Sequence, residues 1–228
     1  MTQTAAASAY EAAFPQLGVV KGLTIVAPGC GEGRMVRLMA AEGAHVTGLE
    51  SNPARLAEAQ ATAPVAGERF LEGEGDKLPF ADGSVDAVVY FGTLHHVPVE
   101  GQVKAVSEAA RVVKKGGRVY ISEPLAQGPY FKLLQPVDDE TFVRASALEA
   151  IRKAGEFGLT PEAEFVFKRT MRFVDFAAFK KMVLTIGPER VDDFKRTESQ
   201  MQTVFAAGVP DGGQMTFEQP FRVNIFKR

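Results

Sequence analysis

Residues 23–33, Leu-Thr-Ile-Val-Ala-Pro-Gly-Cys-Gly-Glu-Gly, restrict the fold of this chain more than any other stretch. An apolar run from Leu23 to Ala27 breaks off at Gly29, Gly31 and Gly33. A helical pattern with Met35, Val36, Leu38 and Met39 begins at once. This is a buried strand passing through a glycine turn into a helix. Glycine lacks a Cβ, so a ligand can approach the main chain closely. The helix N-terminus adds unpaired N–H groups and the positive end of a dipole. The stretch predicts a small polar ligand at a strand end.

The same grammar continues downstream. Strands are expected at 23–28, at 45–49 with Glu50 at its end, at 69–71, 85–91 and 118–122, and helices at 32–42, 53–61 and 99–113. Lys115-Gly116-Gly117 reads as the turn into the fifth strand. Such alternation predicts an α/β fold, a doubly wound Rossmann-like sheet, mostly parallel, with helices on both faces. Ligands of such sheets sit beyond the carboxyl ends of the strands. After residue 124 the pattern loosens: a helix over 141–157, a strand over 163–173, helices around 176–183 and 194–207, and a closing strand over 216–226, for seven strands in all. With no internal repeat and no low-complexity linker, a single domain over 1–228 is expected. Its parts are an N-terminal helix or lid (1–20), a core (20–124), substrate-covering segments (124–213) and a closing strand (214–228).

Composition narrows the function. The 26 basic and 28 acidic residues leave a net charge of −2, with no run of like charge, so neither nucleic acid nor an anionic membrane surface is an expected partner. Cys30 is the sole cysteine, which excludes an intrachain disulfide and a paired-cysteine metal site. His45, His95 and His96 lack metal-ligand spacing, so no metal is expected. No apolar run approaches the ~20 residues of a membrane span, and the first ten residues do not read as a secretory signal. The expected setting is reducing and cytoplasmic.

Two ligand classes can be weighed against the glycine loop. A dinucleotide site wants G-x-G-x-x-G/A; Gly29 and Gly31 fit, but Arg34 falls at the third place and Gly33 comes one residue early. A phosphate loop wants G-x-x-x-x-G-K-[ST], which is absent, and the Glu32 carboxylate would repel a pyrophosphate. The spacing suits a nucleoside without phosphates. Glu50, at the end of the second strand, is placed to accept both ribose hydroxyls. Glu74-Gly75 offers an acid for an adenine amino group and a main-chain N–H for a ring nitrogen.

Four segments together resemble the class I S-adenosylmethionine-dependent methyltransferases, in the type 11 group that includes ubiquinone/menaquinone C-methyltransferases. They are Val26–Gly33, the run Gly73-Glu74-Gly75-Asp76-Lys77-Leu78-Pro79-Phe80, Asp86–Val97 with its Leu94-His95-His96-Val97 ending, and Arg111-Val112-Val113-Lys114-Lys115-Gly116-Gly117-Arg118. The resemblance covers residues 20–124 and implies a seven-stranded sheet whose last strand is antiparallel. It implies S-adenosylmethionine as cofactor, with Gly29 and Gly31 along its methionine part, Glu50 on the ribose, Glu74 and Gly75 on the adenine, and Phe91 and Gly92 flanking the sulfonium. Cys30, Gly33 and Ser51 complete the expected cofactor set. One departure stands out: the family usually carries an acid two places before the first glycine, and here that place is Ala27, followed by Pro28.

Methyl transfer from a sulfonium needs alignment first and a base only where the acceptor must lose a proton. His95 and His96, just past the fourth strand, are the candidate catalytic bases. Glu123 reads as a cleft-rim acid or a cap before Pro124. Tyr10, Tyr130, Phe131, Arg172 and Phe173 lie in the covering segments and read as core or as the lining for a lipophilic or aromatic small-molecule acceptor. Cys30 reads as a small apolar filler. The competing functions are a non-catalytic module that binds the cofactor or nothing, and an NAD(P)-dependent oxidoreductase.

Overall fold

The computed structural model describes residues 18–228; the helix expected over 4–17, including Tyr10, lies outside them. The described chain divides into two compact units. The larger holds residues 18–123, 143–166 and 222–228, and the smaller holds 124–142 and 167–221.

The larger unit begins with the expected alternation: β1 (Thr24–Pro28), α1 (Arg34–Ala41), β2 (His45–Glu50), α2 (Pro53–Ala61), β3 (Arg69–Glu72), β4 (Val85–Phe91), α3 (Val99–Val112) and β5 (Val113–Pro124). Each start and stop has a local cause. The Asn52 side chain accepts the N–H groups of Ala54 and Arg55, capping α2, while Pro53 occupies a first-turn place where no N–H is needed. In α3, Ala105, Val106, Ala109, Ala110 and Val112 recur at helical spacing and are buried. They pack on Val88, Val119 and Ile121 of the sheet, together with Ala147, Ala150 and Ile151 of α5 (Thr141–Arg152).

The chain continues through α4 (Pro129–Leu134), α5, β6 (Thr160–Phe173), α6 (Phe176–Ile186), α7 (Val191–Ala206), β7 (Val209–Asp211) and β8 (Gln214–Lys227). In the larger unit the strand order is β3-β2-β1-β4-β5-β8-β6, using the later part of β8 and the earlier part of β6. Pairings β1–β2, β1–β4, β2–β3 and β4–β5 are parallel. β8 runs against β5: at its end, Arg228 donates to the Gly117 carbonyl at 3.1 Å and accepts from the Gly116 N–H at 2.7 Å. The expected mostly parallel sheet with an antiparallel closing strand is therefore present, with the short β7 added as an eighth strand beside β8.

Three local expectations change. Lys115-Gly116-Gly117 is not a turn before the fifth strand but an irregularity inside β5. Val85 pairs with Val113 and Ala87 with Arg118, and the surplus residues bulge at Gly116, whose φ is 84°. The helix read over 141–157 is α5 followed by a separate 3₁₀ turn, Ala154–Phe157. α4 and β7 were not foreseen. α4 has six residues, too few to show a periodicity. β7 is joined to β8 by Gly212-Gly213 with φ of 56° and 77°, the positive values a two-residue hairpin needs.

The smaller unit has its own core of Leu133, Phe173, Phe179, Phe194, Met201, Phe205 and Phe217. Its rings meet mostly tilted or edge-on, as with Phe173 and Phe179 at 5.4 Å. Tyr130 stacks on Phe173 at 6.3 Å, Phe131 is buried, and Arg172 forms an ion pair with Asp211. Of the two readings of the aromatics, Phe173 takes the core one.

Candidate active site

The predicted cofactor residues all fall at the carboxyl ends of four adjacent strands. Gly29–Gly33 follows β1, Glu50 ends β2 with Ser51 behind it, Glu74-Gly75 follows β3, and Phe91-Gly92 closes β4. Local geometry separates their roles.

Gly29, Gly31 and Gly33 have φ of 67°, 55° and 82°, a region that L side chains resist. A Cβ on Gly29 would lie 2.7 Å from the Thr93 Cβ, and one on Gly33 would lie 2.4 Å from the Phe70 ring. Those two glycines admit neighbouring side chains. A Cβ on Gly31 would meet only the Arg55 guanidinium, at 4.0 Å. Gly31 is thus the place in the loop where a ligand can reach the main chain. Its N–H donates to Glu50 Oε2 at 2.7 Å, and the Asn52 N–H donates to Glu50 Oε1 at 2.9 Å. The buried Glu50 carboxylate is fixed by one N–H per oxygen. Each oxygen retains a second acceptor site, enough for a pair of hydroxyls.

Cys30 turns its thiol toward Gly48, where a Cβ would come within 2.7 Å of Sγ. Burial, followed by the Glu50 charge, pushes this thiol up to about 12. It is protonated at neutral pH and fills space, as its sequence context suggested.

The loop after β3 is held from beneath and from the side. The buried Tyr90 hydroxyl donates to the Gly75 carbonyl at 2.6 Å. Arg111 donates to the carbonyls of Leu78 (3.0 Å) and Phe80 (2.8 Å) and pairs with Asp82 (2.7 Å) and Glu108 (2.7 Å). Glu108 in turn accepts the Leu78 N–H at 2.9 Å. The arginine of the Arg111–Arg118 segment is therefore a latch on residues 78–82. Glu74 is exposed at the rim, its main chain bridged to Lys77.

Beyond β4, Gly92 (φ 67°) donates its N–H to the Ser122 carbonyl at 2.6 Å, and the Thr93 hydroxyl donates to the Pro28 carbonyl at 3.0 Å. A 3₁₀ turn follows, Leu94–His96. Glu123, from the end of β5, serves the start of that turn, accepting the N–H groups of Thr93 (3.0 Å), Leu94 (2.9 Å) and His95 (3.3 Å). The same carboxylate lies 2.5 Å from His95 Nδ1. Burial works to raise its pKa, but the His95 charge and the hydrogen bonds outweigh it and hold the carboxyl below the usual range. The two readings of Glu123 thus resolve to a buried cap that also grips an imidazole. Of the candidate bases, His95 is buried and His96 is exposed, with ring centroids 4.0 Å apart. The roles of Tyr90, Thr93 and Arg111 had no signal in sequence, since each depends on a distant partner.

Comparison with known proteins agrees with this geometry. Residues 26–121 match a family model described as a methyltransferase domain. A "Probable S-adenosylmethionine-dependent methyltransferase" of Mycolicibacterium smegmatis is 36% identical over 103 residues, 45% of this chain and 38% of that protein. A sterol 24-C-methyltransferase of Gibberella zeae is 36% identical over 107 residues, 44% of this chain and 27% of that protein. The chain thus spans less than half the length of these curated relatives. The YcgJ protein of Bacillus subtilis has the same fold, with a TM-score of 0.67 and 18% identity over 97% of this chain and 99% of that one. Over residues 26–121, which hold the glycine loop and the parallel strands, this chain is thus similar to a methyltransferase domain, and its fold is that of solved methyltransferases.

Proposed function

We propose that this chain transfers a methyl group from S-adenosylmethionine to a small-molecule acceptor. The observation that carries the reading is the open Gly31 main chain beside a buried Glu50 carboxylate with acceptor capacity to spare. In this reading Glu50, with Ser51 beside it, holds the ribose, Gly29–Gly33 backs the methionine part, Glu74 and Gly75 read the adenine, and Phe91-Gly92 borders the reacting end. When bound, the cofactor supplies an electrophilic methyl carbon on a sulfonium. The chain's part is to bind, to align, and to exclude water. His95 and His96 serve as proton acceptors where the acceptor carries a proton to lose.

The acceptor we favour is lipophilic or aromatic. Support comes from the near-neutral charge, which gives no nucleic-acid footprint, and from a relative named for a sterol. No helix among the described residues is long and apolar enough to cross a membrane, and the sole cysteine fits our reading of a reducing, cytoplasmic setting. We assign acceptor recognition to residues 124–213. A second reading, a cofactor-binding module without turnover, is favoured by Ala27, which is buried where the family usually carries an acid.

Calorimetric titration with S-adenosylmethionine, S-adenosylhomocysteine and NAD(P) tests the reading. The sulfonium and its thioether product should bind and the dinucleotides should not. Glu50→Ala should weaken S-adenosylhomocysteine by more than about tenfold through loss of charge-assisted hydrogen bonds. Binding of NAD(P) alone would remove the proposal.

A further inference from the structure

We propose that Glu123 is a positioning residue for His95, holding the imidazole with a proton on Nδ1 and so making Nε2 the ring atom that accepts one. The inference rests on the methyltransferase reading for its catalytic meaning, but its geometry stands alone.

A carboxylate that only capped the 3₁₀ turn would need no imidazole. Glu123 Oε1 receives Thr93 N–H and Leu94 N–H, and Oε2 receives His95 N–H at 3.3 Å and faces His95 Nδ1 at 2.5 Å. Three main-chain donors around one buried group favour an ionised acceptor, since a protonated carboxyl would spend one acceptor site on its own hydrogen. The depressed pKa of Glu123 agrees with this. An ionised carboxylate has no hydrogen to give, so the hydrogen in the Nδ1 contact belongs to the ring. The ring and main chain of His95 are thus both referenced to one side chain. That side chain is itself anchored on β5, whose Val119 and Ile121 lie in the core of the larger unit and whose Ser122 carbonyl holds Gly92. A fixed tautomer is what a general base requires, and a ring with the opposite tautomer would present a donor where an acceptor is needed.

Glu123→Gln separates positioning from capping. The amide oxygen can still receive Thr93 and Leu94, but an NH₂ now faces Nδ1 and can only donate. The ring must then carry its proton on Nε2. The measurement is a long-range ¹H–¹⁵N spectrum of the full chain labelled at histidine, near pH 8, with His95 assigned through the signals lost in His95→Asn. In the wild type, His95 Nδ1 should resonate as a protonated nitrogen. In Glu123→Gln, Nδ1 should move to the unprotonated range and Nε2 to the protonated one, with His45 unchanged. A wild-type His95 with a bare Nδ1, or a folded Glu123→Gln with the wild-type pattern, would overturn the proposal. Should the variant not fold, the wild-type spectrum alone decides. Titration of the wild type with S-adenosylhomocysteine is read separately: absence of binding would sink the methyltransferase reading and leave the tautomer result standing.

Discussion

The three glycines after β1 make opposite demands, and two alanine substitutions separate them. Gly31→Ala places a Cβ in a left-handed backbone with φ of 55° and nothing nearer than 4.0 Å. The backbone penalty is about 1–2 kcal/mol, and reduced freedom of the unfolded chain returns about 0.4–1 kcal/mol. The net loss should be about 1 kcal/mol, a fall in Tm of about 3 °C for a chain of this length. Gly33→Ala carries the same backbone penalty at φ 82°, and its Cβ must also displace the Phe70 ring, 2.4 Å away, and the Arg37 guanidinium, 2.9 Å away. Overpacking of that kind adds about 1–3 kcal/mol, for a total of about 2–4 kcal/mol and a Tm drop of about 6–12 °C. Binding should rank the other way per unit of stability lost. Gly31→Ala fills the space a ligand would use and should weaken S-adenosylhomocysteine at least about tenfold, or about 1.4 kcal/mol. Differential scanning calorimetry and isothermal titration on the two variants provide both readings. Wild-type affinity in a folded Gly31→Ala, or a Gly33→Ala as stable as Gly31→Ala, would refute the division of roles.

Arg111→Met should destabilise the protein by about 1–3 kcal/mol, because the Leu78 and Phe80 carbonyls lose their donor; hydrogen exchange should show faster exchange confined to residues 73–83, and protection equal to wild type there would contradict the latch. The folded-state pKa of Glu123 lies below its unfolded value, so its contribution is complete above about pH 4.3 and is lost as pH falls through the folded value. Thermal melts between neutral pH and pH 3 should therefore fall more steeply for the wild type than for Glu123→Gln, and parallel curves would show that the carboxyl is not depressed. Cys30, with its thiol raised from 9.0 to about 12, should carry about a thousandfold less thiolate than an unperturbed cysteine. Iodoacetamide at pH 8 should label it only when denaturant unfolds the chain, and rapid labelling of the native protein would refute that assignment.

The first half of the fold was legible because its signals are local. The apolar run of β1, the Asn52-Pro53 start of α2 and the helical spacing of Val103, Val106 and Ala110 each lie within one element. β2, α2, β4 and α3 accordingly fall within a residue or two of the expected bounds. The bulge at Gly116 was not legible. A Gly-Gly pair reads equally as a turn or as an irregular strand, and the choice is made by Arg228, which brackets it from the far end of the chain. The smaller unit was the least legible. Its phenylalanines come from β6, α6, α7 and β8, far apart in sequence, and only their meeting in one core explains them.

The site divides in the same way. That glycines, Glu50 and Glu74-Gly75 cluster at one sheet edge follows from strand ends, which sequence marks. Which glycine faces open space depends on Thr93 and Phe70, which no local pattern announces. Glu123 and His95 are 28 residues apart, joined only because β5 lies beside β4. The departure at Ala27-Pro28 gains a physical account from the same neighbourhood. The β1–β4 ladder ends at Val26↔Val88, so the N–H that Pro28 lacks is not missed on that side. The Pro28 carbonyl is taken by the Thr93 hydroxyl, and Gly29 leaves room for that side chain. The end of β1 is thus locked to the loop after β4 by a neutral hydrogen bond and close packing. An acid at position 27, which is 4% exposed, would be a buried charge whenever the site stood without ligand, and an unpaired buried charge is costly. Alanine there removes that cost and with it a partner for a ligand's ammonium group. In the proposed reading, recognition of the nucleoside then rests on Glu50 and the Gly31 main chain, which is why those two positions carry the sharpest tests of function.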